Sequence, residues 1–119
     1  MLKFGNEQFL ECSSKGDKRF SAFYARLKSH DGKSIEEIFQ ASKVFEDGST
    51  GLHWRDAKGK KCVNQSDVRN LYRRLWTEYL NENPDLVEYL KSFNGYSDIF
   101  GQEGHACQAE EIYEYMVMR

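Results

Sequence analysis

Residues 64–95 read NQSDVRNLYRRLWTEYLNENPDLVEYLKSFNG, and this stretch sets the fold class. Val68, Leu71, Tyr72, Leu75, Tyr79 and Leu80 recur at i, i+3, i+4, i+7, i+11 and i+12, which is one face of an α-helix. Arg69, Arg73, Arg74 and Glu78 occupy the opposite face. Asn64 stands where a helix cap is needed. Asn83-Pro84 is a cap and first-turn pair for a second helix carrying Leu86, Val87, Leu90 and Phe93, with Gly95 as its stop.

Working outward, Ser34-Ile35-Glu36-Glu37 is a capping box, in which the Ser hydroxyl and the Glu carboxylate each satisfy a backbone N–H of the first turn. Ile35, Ile38, Phe39 and Ser42 follow at helical spacing, so a helix is expected over residues 34–45. A last helix is expected over residues 108–115, burying Ile112 and Met116. Residues 8–12 and 19–24 carry aromatics near period two around a Gly16-Asp17 turn and read as a small hairpin. Asp31-Gly32 is a further turn. Residues 46–63 and 98–107 read as irregular. Ser66-Asp67 and Ser97-Asp98 read as helix caps. The expected class is therefore α+β: one helix-dominated domain over residues 1–119, with about four helices and a small N-terminal antiparallel β element.

With 119 residues, one domain is the size expectation. A net charge of −2 argues against a protein that coats duplexes through phosphate neutralisation, while leaving room for a local nucleotide site. No apolar run approaches the roughly 20 residues of a membrane span. The N-terminal MLKFGNEQFLEC has neither a long apolar stretch nor a small-residue cleavage site, so no secretory signal is read. Cys12, Cys62 and Cys107 are odd in number and far apart, which suggests reduced thiols and a cytoplasmic location rather than a disulfide framework. His105-Ala106-Cys107 has no second pair at zinc spacing, so no metal or other cofactor is expected. Walker and G-x-S-x-G motifs are absent.

Glu36, Gln40 and Lys43 share one side of the 34–45 helix. Two readings fit this stripe. It is either a solvated polar ladder, or a carboxylate, an amide and an amine converging on a ligand, the first as acid or base and the last as a nucleophile. The 46–63 loop holds Trp54, Arg55, Lys58, Lys60 and Lys61, which fits either a solvated basic surface or a phosphate contact.

The stretch RFSAFYARLKSHDGKSIEEIFQASKVF, residues 19–45, resembles the signature of the NADAR family. The matching residues are Ser21, Phe23 and Tyr24, then Asp31 and Gly32, then the E-x-x-x-Q-x-x-K run of Glu36, Gln40 and Lys43. Asn83, Leu86, Leu90, Gly95 and Asp98 carry a weaker likeness to the family's next region. The resemblance implies cleavage of an N-glycosyl bond between ribose and a nucleobase, either ADP-ribosylated guanine in nucleic acid or a ribosylated pyrimidine metabolite. It implies Glu36 as acid/base, Lys43 as an amine able to form a Schiff base, and Asp98 as a second carboxylate. Ser21, Phe23, Tyr24, Gln40, Trp54, Arg55 and Lys58 would bind the substrate, with no cofactor and no membrane partner. Residues 101–108 keep glycines but lack the Trp and Asn of the family's C-terminal segment. The alternative is accordingly a protein that binds a nucleotide or an ADP-ribose derivative without turning it over.

Overall fold

The computed structural model describes residues 1–118. In chain order the elements are β1 (Leu2–Gly5), β2 (Phe9–Glu11), β3 (Arg26–Leu27), β4 (Lys33–Ser34), α1 (Ile35–Ala41), α2 (Trp54–Ala57), α3 (Gln65–Glu82), α4 (Pro84–Leu90), β5 (Gly95–Asp98) and α5 (Gln108–Val117). The class is α+β, as the sequence suggests.

Helix α3 is the spine. Val68, Tyr72, Leu75, Trp76, Tyr79 and Leu80 are buried along one face, and Phe20, Leu27, Ile35, Leu90 and Ile112 close the core around them. Burying a side chain of this kind stabilises by roughly 1.5–3 kcal/mol. The Tyr79 hydroxyl donates to the Arg19 carbonyl at 2.7 Å, and burial pushes its pKa up to about 12. The Asn64 side chain makes no cap bond. It accepts from Val44 N–H and donates to the Ser42 carbonyl, which ties the start of α3 to the end of α1. Ser66 and Asp67 lie within the first turn of α3 rather than capping it.

The β structure corrects the hairpin expectation. Phe9–Glu11 is a strand, but it pairs in parallel with β5, about 86 residues on. On its other side β5 pairs antiparallel with β1, giving the order β1-β5-β2. Residues 19–24 do not form a strand. Asp17 accepts from Arg19 N–H and starts a 3-10 turn over Lys18–Phe20, and the Ser21 carbonyl then takes the N–H groups of Tyr24 and Ala25. The antiparallel hairpin is β3–β4, turning at Asp31-Gly32, both with positive φ. Gly95 opens β5 rather than ending α4, which stops at Leu90. A Cβ at Gly95 would meet the Phe4 carbonyl and the Phe9 ring at 2.7 Å, so the centre of the sheet admits only glycine there. Ser97 and Asp98 are strand residues, not caps.

The capping box is present: Glu37 N–H donates to Ser34 Oγ at 3.1 Å and Ser34 N–H to Glu37 Oε1 at 3.3 Å. Helix α1 ends at Ala41 rather than at residue 45, because the Ser42 hydroxyl and the Asn64 amide draw the chain into a turn. The expected 46–63 loop contains the one-turn helix α2, and its Thr50 bridges to Val44 just before it. Among the described residues no helix is long and apolar enough to cross a membrane. All three cysteines are free and buried.

Candidate active site

A cleft of about 1010 Å3 opens between α1, α2, α3 and the segment joining β5 to α5. Its size suits a nucleotide-scale ligand. Four polar side chains of its lining are buried: Glu36 is 8%, Gln40 4%, Lys43 8% and Asp98 5% exposed. The polar stripe of α1 is therefore not a solvated ladder.

The local sequence explains how these groups are held. The turn over residues 21–25 caps the start of α1: Ile35 N–H donates to the Ala25 carbonyl and Glu36 N–H to the Ala22 carbonyl, both at 3.0 Å. One turn on, Gln40 Nε2 donates to Glu36 Oε1 at 2.7 Å. Gln40 Oε1 is buried with no partner. Lys43 lies just past the end of α1, with its ammonium 3.5 Å from the Ala57 carbonyl and 5.4 Å from the Phe39 ring centre. Burial raises the pKa of Glu36, against the Gln40 bond and the nearby charges of Lys58 and Lys43. Burial lowers the pKa of Lys43, against the opposing influence of Cys62 and Glu36. Both groups are thus drawn toward their neutral forms, a proton-bearing carboxyl and an unprotonated amine.

Asp98 ends β5 and is fixed on both oxygens. Oδ1 accepts from Phe100 N–H at 3.0 Å and Oδ2 from Gln108 Nε2 at 2.9 Å. The same Gln108 amide accepts from Ala22 N–H at 2.7 Å. Because Ala22 also receives the Glu36 N–H, one continuous set of hydrogen bonds joins the two acidic residues. Glu11 holds the strand on either side of Asp98, taking the Ser97 hydroxyl and the Ile99 N–H. Burial alone would raise the Glu11 pKa, but its bonds from Ser13, Ile99 and Ser97 prevail and lower it.

The aromatic wall comes from α2 and the 21–25 turn. Trp54 meets Phe23 edge-on with ring centres 5.4 Å apart, and Lys58 sits 4.8 Å from the Phe23 ring centre. Tyr24 and Phe100 line the cleft at 50% and 60% exposure. Lys60, Lys61 and Arg69 add cations to the lining. Two expected residues stand apart. Ser21 is fully buried outside the lining, and Arg55 is exposed on α2, with its guanidinium carbon 5.2 Å from the Trp54 ring centre. Several lining residues escaped sequence reasoning, among them Gln108, which carries no motif, and Tyr72, which sits on the apolar stripe of α3, where it looks like core. Burial pushes the Tyr72 phenol well above its ordinary pKa. Among the described residues no three His, Cys, Asp or Glu side chains are grouped to hold a metal ion.

A family model described as DarT1-associated NADAR antitoxin matches residues 1–70, more than half of the chain. The chain belongs to this family. The NADAR match covers the 21–25 turn, the Glu36, Gln40 and Lys43 run, and the segment from Trp54 to Lys61. Asp98 and Gln108 lie beyond it. No curated protein matches the chain.

Proposed function

We propose that this NADAR protein is an N-glycosidase that removes ADP-ribose from a nucleobase, with guanine in DNA as the substrate class. The observation that carries the reading is the burial of Glu36, Gln40 and Lys43 together on the floor of one cleft. A surface ladder has no reason to take these groups out of water, since desolvating an unpaired charge is costly. The association of the family with DarT1 supports the nucleic-acid substrate over a free metabolite.

The proposed chemistry uses the two buried groups, each shifted toward the form it needs. Lys43, as the amine, attacks C1 of the ribose. The bond from C1 to the base nitrogen breaks, its electron pair goes to that nitrogen, and the nitrogen takes the proton from Glu36. The C1–O4 bond of the ring then breaks, its electron pair goes to O4, which takes a proton from Nζ, and a protonated C1=Nζ imine forms. Water adds to C1 and gives one proton to Glu36; the C1–Nζ bond then breaks as C1=O forms, and the amine leaves with the remaining hydroxyl proton. The net reaction consumes one water and yields free ADP-ribose and the restored base. Asp98, held by Gln108 and the Phe100 amide, is placed to orient the sugar or the water. Phe23 and Trp54 offer the base an aromatic surface, and Lys58, Lys60 and Lys61 offer cations to the pyrophosphate.

The test is incubation with an oligonucleotide carrying ADP-ribosylated guanine, followed by mass spectrometry, with a ribosylated pyrimidine phosphate in parallel. Wild type is run beside Glu36→Gln and Lys43→Arg. Loss of the ADP-ribosyl mass in wild type alone is the expected result. Intact substrate in the wild-type reaction, or unchanged turnover in both variants, overturns the proposal. Release from the pyrimidine phosphate alone overturns the choice of substrate class.

A further inference from the structure

Gln40 presents an asymmetry that the proposed chemistry does not use. Its Nε2 is engaged by Glu36 Oε1 at 2.7 Å, while its Oε1 is buried and has no partner. Gln40 is 4% exposed and lines the cleft. A buried acceptor left without a donor carries a penalty, and such groups in native proteins are normally satisfied. The amide turns its NH2 end to Glu36, which leaves its oxygen free to accept from the cleft. The bond also assigns the proton of Glu36. With Oε1 accepting from Gln40, a proton on the carboxyl resides on Oε2.

From this we infer that Gln40 Oε1 is the acceptor for the sugar hydroxyl on the carbon next to the scissile bond, and that Gln40 is a specificity determinant for ribose over 2-deoxyribose at that position. The inference rests on the N-glycosidase reading. In that reading Lys43 attacks C1 and Glu36 protonates the nitrogen leaving C1, so both groups converge on that carbon. Gln40 lies between them in the α1 run and is bonded to one of them. The nearest donor that a ribosyl group offers beside C1 is its 2-hydroxyl. Asp98 is another acceptor of the lining, and each of its oxygens already receives one protein donor, from Phe100 N–H and Gln108 Nε2, so it is held in place for the proposed contact with sugar or water. Gln40 Oε1 receives no donor at all. A hydrogen bond to this hydroxyl is also one that strengthens as charge develops on the sugar ring.

The experiment compares two oligonucleotides. One carries ADP-ribosylated guanine, and the other carries the same adduct without the hydroxyl adjacent to the scissile bond. Each is given to wild type and to Gln40→Met, which keeps length and volume but has no acceptor. The readout is the ratio of kcat/KM for the two substrates in each protein. Intrinsic differences in bond reactivity are common to both proteins and cancel. The ratio is expected to favour the hydroxylated substrate about 10- to 100-fold more in wild type than in the variant. A purely structural role for Gln40 lowers both rates and leaves the ratio unchanged, and that result overturns the inference while sparing the glycosidase reading. No turnover of either substrate by wild type overturns the reading beneath it. Binding by wild type gives a second measurement, independent of how Gln40→Met folds. Free ADP-ribose is expected to bind about 10-fold or more tightly than its analogue lacking that hydroxyl, and equal affinities overturn the inference.

Discussion

Replacing Glu36 by Gln is expected to make the protein more stable and less active. Glu36 is buried, and burial raises its pKa despite the Gln40 bond and the nearby lysines. In the unfolded chain the group titrates near the ordinary value of 4.5. Between that value and the raised folded value, the folded state binds more protons than the unfolded state. Stability therefore falls as pH rises through this window, and the full penalty is present above it. Glutamine keeps the size of the side chain and an acceptor for Gln40 Nε2, but it carries no charge. At pH 7–8 Glu36→Gln is expected to gain stability, because the folded state no longer holds a carboxyl whose charged form burial disfavours. For a chain of this length each kcal/mol gained raises Tm by about 3–5 °C. Below about pH 4 the carboxyl is protonated in both states and the two proteins should melt together. Thermal melts from pH 4 to 8, run beside the base-release assay, read both effects. Activity is expected to fall about 100- to 10,000-fold through loss of the general acid. A variant that melts at or below wild type at pH 8, or a difference that does not grow with pH, refutes the claim that desolvation controls this carboxyl.

Three further outcomes follow from the geometry. Gln108→Leu leaves Ala22 N–H unpaired and removes a donor from Asp98, so calorimetric stability should drop by about 1–3 kcal/mol and kcat should fall with it. Gly95→Ala forces a methyl group against the Phe4 carbonyl and the Phe9 ring, and should cost about 1–3 kcal/mol in a denaturant titration. Lys58→Glu combined with Lys61→Glu should weaken ADP-ribose binding and flatten its dependence on salt, because these cations line the cleft where a pyrophosphate would lie; an unchanged salt slope in calorimetry removes them from phosphate binding.

The helices were legible because their causes are local. The Ser34 to Glu37 capping box and the apolar face of α3 are patterns of nearby residues; the box stands as read, and the face does so except that Leu71 is only partly buried while Trp76, not counted in the stripe, is buried there. Sheet β1-β5-β2 was not legible. Its central strand is Gly-Tyr-Ser-Asp, three residues of weak strand preference and one tyrosine, and its pairing joins the two ends of the chain. Period two misled at residues 19–24, where the Asp17 side chain captures Arg19 N–H and turns the chain before a strand can form. Ser21, matched by motif alone, supplies its carbonyl to that turn and stays out of the cleft.

A helical wheel places Glu36, Gln40 and Lys43 on one side of α1, but it does not say what faces that side. Two non-local contacts decide it. The chain after α1 is drawn back by Gly51 N–H to the Ala41 carbonyl and by Val63 N–H to the Val44 carbonyl, which fixes both ends of the segment carrying α2. That segment brings Ala57 over the Lys43 ammonium and Trp54 against Phe23. The other contact is Gln108, which joins the Asp98 end of β5 to the Ala22 peptide that caps α1. Removing water from the stripe thus depends on residues well outside the helix that carries it. The same covering that makes the stripe invisible to sequence periodicity also shifts Glu36 and Lys43 toward their neutral forms, so the burial of the site and the acid and amine roles proposed for it have one physical cause.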